Sequence, residues 1–386
     1  MPTAAARTAL IEPFYVMEVV KEAAELASAG QSVIHLSIGE PDFTAPEPVR
    51  RAAIASIERG ATQYTGALGL DALRERIAGW YSTRFACDVD PSRIVVTAGA
   101  SGALLLACAA LLEHDAELLM PDPSYPCNRH FATAFGGRAR LVPCGPQQRY
   151  QLTAATVEAH WNEKTGGVLV ASPSNPTGTS IEPDVLAALV EAVLGRDGFV
   201  ISDEIYQGLS YDAAPSTALQ VTDQAIVINS FSKYFAMTGW RLGWMVAPPR
   251  LVPTLEKLAQ NLYICPSTVS QHAALACFSD EAMATYEDRR AEFKRRRDFL
   301  VPALRELGFI VPVEPDGAFY VYADVNRFAS DSFEFVRNLL RSTGVCLVPG
   351  RDFGVAAPER HVRISYATSL DRLQEAVERM RNYLPR

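Results

Sequence analysis

The sequence predicts an α/β fold: a large domain with a mainly parallel seven-stranded sheet flanked by helices, plus a smaller α+β domain. Three observations carry this. First, seven short apolar, β-branched runs alternate with helical stretches such as Gly102–Leu112 and Asp184–Leu194. The runs are Arg93–Thr97, Glu117–Met120, Ala139–Val142, Gly167–Ala171, Gly198–Ser202, Ala225–Asn229 and Leu242–Ala247. Such alternation reads as βαβ units and hence a parallel sheet. Second, several of these runs are almost continuously apolar, as strands covered on both faces must be. Third, the pattern changes after a long charged helix, Glu281–Leu307. A strand at Ala318–Ala323, a helix at Ser332–Ser342, strands at Val345–Val348 and His361–Tyr366 and a helix at Ser369–Leu384 follow.

Composition narrows the function. A chain of 386 residues with 48% hydrophobic and 21% charged residues has ample material for two cores. The longest purely apolar run, Ala103–Leu112, is half of the roughly 20 residues a spanning helix needs. The N-terminus carries no secretory pattern, because Glu12 and Pro13 interrupt it. Seven scattered cysteines without a CxxC, and histidines with no close pair, predict neither a disulfide framework nor a metal site. The expected compartment is a reducing cytoplasm. A net charge of −8 argues against a nucleic-acid partner.

In open α/β sheets, ligands sit beyond the carboxyl ends of the strands. After Gly167–Ala171 comes SPSNPTG, with Asn175 in a turn. After Gly198–Ser202 comes DEIY, with Asp203 at the tip and Tyr206 just beyond. After Ala225–Asn229 comes SFSK, with Lys233, one of only five lysines. If these units are neighbours, Asn175, Asp203 and Lys233 converge. A fourth strand end, Thr97-Ala-Gly-Ala-Ser-Gly102, leads into a helix whose free N–H groups and dipole suit a phosphate. Arg241 in TGWRLGW can add a bidentate contact. Phosphate cradle, lysine, aspartate and phenol together are what pyridoxal phosphate requires. The lysine forms a Schiff base with the aldehyde, and the aspartate keeps the pyridine nitrogen protonated.

SPSNPTG, SDEIY, SFSKYFAMTGWRLGW and RISYA, in this order, resemble the fold-type I pyridoxal-phosphate-dependent aminotransferases of classes I and II. SIGEPDF (37–43), YTGALGLDALR (64–74), PDPSYP (121–126) and VPGRDFG (348–354) extend the likeness over nearly the whole chain. The resemblance implies a small domain built from both chain ends, 1–45 and 286–386, beside a large cofactor-binding domain at 46–285. It implies Lys233 as Schiff-base lysine and general acid/base, Asp203 on the ring nitrogen, and Asn175 and Tyr206 on the ring hydroxyl. Tyr125 stacks on the ring; Gly99, Ala100, Ser101, Ser230 and Arg241 hold the phosphate. Tyr64 reaches the cofactor of the other subunit of a homodimer. Arg363 clamps the substrate carboxylate with the backbone of Gly39 nearby, and Phe14 and Tyr15 approach the substrate side. Asn128 departs from the histidine of some relatives. The implied reaction exchanges an amino group between an L-amino acid and a 2-oxo acid by a ping-pong route. A carbon–sulfur β-lyase on the same fold is the alternative. Between Gly99 and Asn128 there is no Lys or Arg for a second substrate carboxylate, so a neutral or aromatic amino acid is expected.

Lys294-Arg-Arg-Arg297 is expected to be a solvated helix face, because acids flank it.

Overall fold

The computed structural model describes residues 3–212 and 214–385. In chain order the strands are β1 (Ile34–His35), β2 (Ile94–Thr97), β3 (Glu117–Asp122), β4 (Arg138–Pro143), β5 (Thr165–Ala171), β6 (Phe199–Asp203), β7 (Ile226–Ser230), β8 (Gly243–Val246), β9 (Tyr320–Asp324), β10 (Val345–Cys346), β11 (Val348–Pro349) and β12 (His361–Ser365).

The seven apolar runs form one sheet in the order β2-β8-β7-β6-β5-β3-β4. Only β8 runs antiparallel to its neighbours. Every residue of β2, β7 and β8 is buried, because helices cover both faces. The helix Gly99–Leu111 shows why: it is apolar around its whole circumference, and it packs between the sheet and the helix Val252–Leu262. It starts three residues before the expected Gly102, so Gly99, Ala100 and Ser101 form its first turn rather than a preceding loop.

The two chain ends meet. β1 pairs in parallel with β10, bringing Ile34 opposite Val345. β11, β12 and β9 form a separate antiparallel sheet. The single strand expected at Val345–Val348 is therefore two, in different sheets; the chain switches partners at the buried Leu347.

The Lys294–Arg297 expectation is corrected. Arg296 and Arg297 are 4% and 3% exposed. Arg296 pairs with Asp42 and Glu292, while Arg297 pairs with Asp212 and Asp298 and donates to the Pro315 carbonyl. The long helix Asp280–Leu307 has neighbours on this side, so two of the four cations are buried, each with one acid of its own helix and one, Asp42 or Asp212, from another segment. Among the described residues no helix is long and apolar enough to cross a membrane, and no group of three or more His, Cys, Asp or Glu could hold a metal.

Candidate active site

The registers of the parallel strands align the site. Ala171 lies opposite Asp203, and Asp203 opposite Ile228. β5 and β6 therefore end level and β7 two residues further on, so that Asp203, the last residue of β6, meets Asn175 and Lys233 from the turns beyond β5 and β7. The Asn175 turn is tied down at both ends. Ser172 N–H donates to the Asp203 carbonyl at 3.0 Å, and Ser174 N–H to the Thr179 carbonyl at 3.0 Å. Gly178 closes it at φ +69°, where a Cβ would stand 2.5 Å from Pro315. The same Gly178 carbonyl accepts from Asp316 and Gly317 N–H, which joins this turn to the segment entering β9.

A cavity of about 200 Å³ lies at this row of strand ends. All the site residues expected from sequence line it except Gly99, Ser230, Tyr64, Phe14 and Tyr15. Gly99 sits directly behind the lining. It has φ +75°, and a Cβ there would come within 2.7 Å of an Arg241 guanidinium nitrogen. The guanidinium thus lies close over the first turn of the helix Gly99–Leu111. Arg241 itself adopts φ +53° and donates to the Thr238 carbonyl at 3.0 Å. Ser230 is held by its neighbours: its hydroxyl donates to the Leu242 carbonyl at 3.1 Å, and its oxygen lies 2.9 Å from Ser232 Oγ, whose hydroxyl can donate to it. Tyr64 is 79% exposed, on a loop away from the cavity of its own chain. Tyr15 packs edge-on against Phe333 at 6.4 Å and lines a different cleft.

The buried charges are unusual. Asp203 is 4% exposed, with its carboxylate accepting from Ile205 N–H at 3.1 Å. Burial pushes its carboxyl up to about 6, against that hydrogen bond and the nearby Lys233. No helix follows, so Asp203 is not a helix cap. Burial, then the Arg363 charge, pulls the Lys233 amine down to about 8. Its Nζ donates to the Gly39 carbonyl. Arg363 is 7% exposed; its Nη1 donates to Asn175 Oδ1 at 3.0 Å and its Nη2 to the Ser37 carbonyl at 2.7 Å. Its Nε is buried without a partner among the described residues. Asn128 is 1% exposed, and both of its amide atoms lack partners there.

Sequence reasoning missed three polar lining residues: Ser232, Thr238 and Tyr320. Ser232 and Thr238 flank Lys233 and Arg241 and could have been inferred from adjacency. Tyr320 lies 87 residues beyond Lys233, inside an ordinary strand pattern, and carried no local signal. Its hydroxyl is 2.8 Å from that of Tyr206.

Comparisons with known proteins agree with this geometry. Residues 31–380 match the family described as aminotransferase class I and II. A valine–pyruvate aminotransferase of Mycobacterium tuberculosis is 44% identical over 97% of each chain. An aspartate aminotransferase of Pyrococcus abyssi is 34% identical over 95% of each. A crystal structure of an aminotransferase from Mycobacterium tuberculosis superposes with a TM-score of 0.95 at 43% identity, covering all of both chains.

Proposed function

Because this chain belongs to the class I and II aminotransferases, and so moves amino groups between amino acids and 2-oxo acids, we propose that it does so with pyridoxal phosphate held in the cavity at the ends of β5, β6 and β7. The lyase alternative finds no support among the relatives. One observation carries the cofactor reading: a lysine, an aspartate and two arginines, from three separate segments, line a single cavity.

The residues fit the group. Gly99 leaves room for Arg241 over a helix N-terminus, where a phosphate is favoured by free N–H groups and by the dipole. Asp203 is a buried carboxylate with no cation in direct contact among the described residues, and a protonated ring nitrogen would supply one. When bound, pyridoxal phosphate acts as the electron sink that makes the substrate Cα–H acidic.

The protein's own groups do the rest. Arg363 binds the substrate carboxylate through its planar guanidinium, which Asn175 and Ser37 fix in orientation. Lys233, with its amine drawn down to about 8, has free base available near neutral pH and carries the proton to and from Cα. With the cofactor bound, Asp203 would hold the proton on the ring nitrogen, Asn175 and Tyr206 would hydrogen-bond the ring hydroxyl, and Tyr125 would lie against the ring. Ala100, Ser101, Arg241 and, through its place behind them, Ser230 would hold the phosphate. Gly39 offers its backbone on the substrate side.

The large cofactor domain is 46–285, and 1–45 with 286–386 form the small domain; the β1–β10 pairing supports this division. A homodimer is supported by Tyr64 and by the exposed apolar residues Ile54, Ile57, Leu262 and Ile264. A second copy covering them would bring Tyr64 to the partner's phosphate. The expected compartment is the cytoplasm.

The preferred donor is a neutral or aromatic amino acid. Among the described residues the only Lys and Arg lining the cavity are Lys233, Arg241 and Arg363, each already in use, so none of these remains for a side-chain carboxylate. The relative named for valine and pyruvate supports this. The test is a half-reaction: load the protein with pyridoxal phosphate, add single amino acids without acceptor, and follow the visible absorbance. Valine or alanine should convert it to a stable pyridoxamine spectrum that a 2-oxo acid reverses. Aspartate should be poor; rapid conversion by aspartate would overturn the preference.

A further inference from the structure

We propose that Tyr320 is a positioning residue of this site, linking the hydrogen bonding of Tyr206 to the carboxylate grip of Arg363. The inference rests on the cofactor reading above.

The strand register places it. In the β9–β12 pair, Ser365 lies opposite Tyr320 and Arg363 opposite Tyr322. Tyr320 and Arg363 are therefore diagonal neighbours on one face of that sheet, within reach of long side chains. The guanidinium carbon of Arg363 sits 4.4 Å from the centroid of the Tyr320 ring and 5.1 Å from that of Phe353. Such stacking is favourable and keeps a planar cation flat. Two of the five guanidinium N–H groups go to Asn175 and Ser37. The rings fix the plane in which the others can meet a carboxylate.

The hydroxyl has a separate task. Tyr320 and Tyr206 are both buried, and their oxygens are 2.8 Å apart, so one donates to the other. When the Tyr206 hydrogen is committed to the cofactor's ring oxygen, Tyr320 must be the donor. A phenol that accepts a hydrogen bond is itself a better donor. Gly39 lies beside the Tyr320 hydroxyl, since a Cβ there would be 3.3 Å from it. One side chain thus touches both the group that holds the cofactor ring and the group that holds the substrate.

The test uses the cofactor-loaded protein and the variants Tyr320→Phe and Tyr320→Leu. Two readouts are taken: the pH titration of the visible band without substrate, and kcat and KM for valine. Removing a donor behind an anionic oxygen raises the proton affinity of the conjugated system. Tyr320→Phe should therefore move the band's midpoint up by about 0.5 unit and lower kcat about threefold or more, with KM nearly unchanged. In a Tyr206→Phe background the same change should have no further effect on the band. Tyr320→Leu should in addition raise KM about tenfold. An unchanged titration in Tyr320→Phe overturns the proposal, even if Tyr320→Leu fails to fold. Wild-type protein that takes up no pyridoxal phosphate overturns the cofactor reading instead.

Discussion

The two ends of the cavity are built in different ways. At the cofactor end, Asn175, Asp203, Lys233 and Arg241 all follow strands of one sheet, and the sheet's register alone brings them together. At the carboxylate end, Gly39, Tyr320 and Arg363 come from the two chain termini, joined by the pairing of β1 with β10 and of β9 with β12. The first end is a consequence of local order. The second depends on long-range pairing, and its arginine is held by a side chain and a carbonyl from elsewhere in the chain. On the proposed reading, cofactor chemistry and substrate recognition should be open to separate disturbance.

Substitution at each end tests that separation. The largest effect is expected at the cofactor end. Lys233→Ala removes both the covalent tie and the base, so kcat should fall by about 10⁵ or more for every donor alike. Steady-state rates with several amino acids check this, as does loss of the bound-cofactor absorbance after gel filtration. Arg363→Ala should cost about 10²–10³ in kcat/KM, since a charge-assisted pair is lost, and should leave cofactor uptake nearly intact. It should also narrow the gap between amino acids and amines that lack a carboxylate. Comparable losses for both substrate types would mean that the two ends are not separable.

Asp203→Asn should give the smallest effect in free-energy terms, with opposite signs on function and stability. Cofactor affinity and kcat should drop, because the ring nitrogen loses its anionic partner. The cofactor-free protein, however, should gain roughly 1–3 kcal/mol at pH 8, since it no longer buries an ionised carboxylate. The sign follows from the folded value of about 6 against 3.8 for the free group. Between these values the folded state binds more protons, so wild-type stability from this group falls as pH rises. The difference between variant and wild type should vanish near pH 4 and be complete above about pH 6. Urea unfolding at pH 4, 6 and 8 measures it, and a variant less stable at pH 8 would refute the account.

The legibility of the site in the sequence follows the same division. Asn175, Asp203 and Lys233 were legible because βαβ units repeat at nearly even spacing and each residue stands just past a strand. Arg241 was legible as a guanidinium in TGWRLGW, soon after Lys233. Tyr320 was not, because a tyrosine in a strand of alternating apolar residues has no feature to mark it. Arg363 and Gly39 were named through a family resemblance and not through local pattern. Ser230 stands close to the expected place, yet its hydroxyl turns toward Ser232 and the β8 edge, a choice made by hydrogen-bond geometry alone. The buried pair Arg296 and Arg297 shows the same limit. Charge spacing along a helix describes its own face, but not the acids that other segments bring to it.

By itself, the sequence determined the strand–helix alternation, the parallel sheet and the residues at its strand ends. These follow from local periodicity and from the rule that ligands gather at one edge of such a sheet. Tertiary structure alone decided which side chains of the two chain ends face the cavity, that Tyr320 joins Tyr206 to Arg363, and how far burial shifts Asp203 and Lys233. Those properties depend on distances between residues hundreds of positions apart and on the exclusion of water around them. Neither distance nor dielectric is written in local pattern.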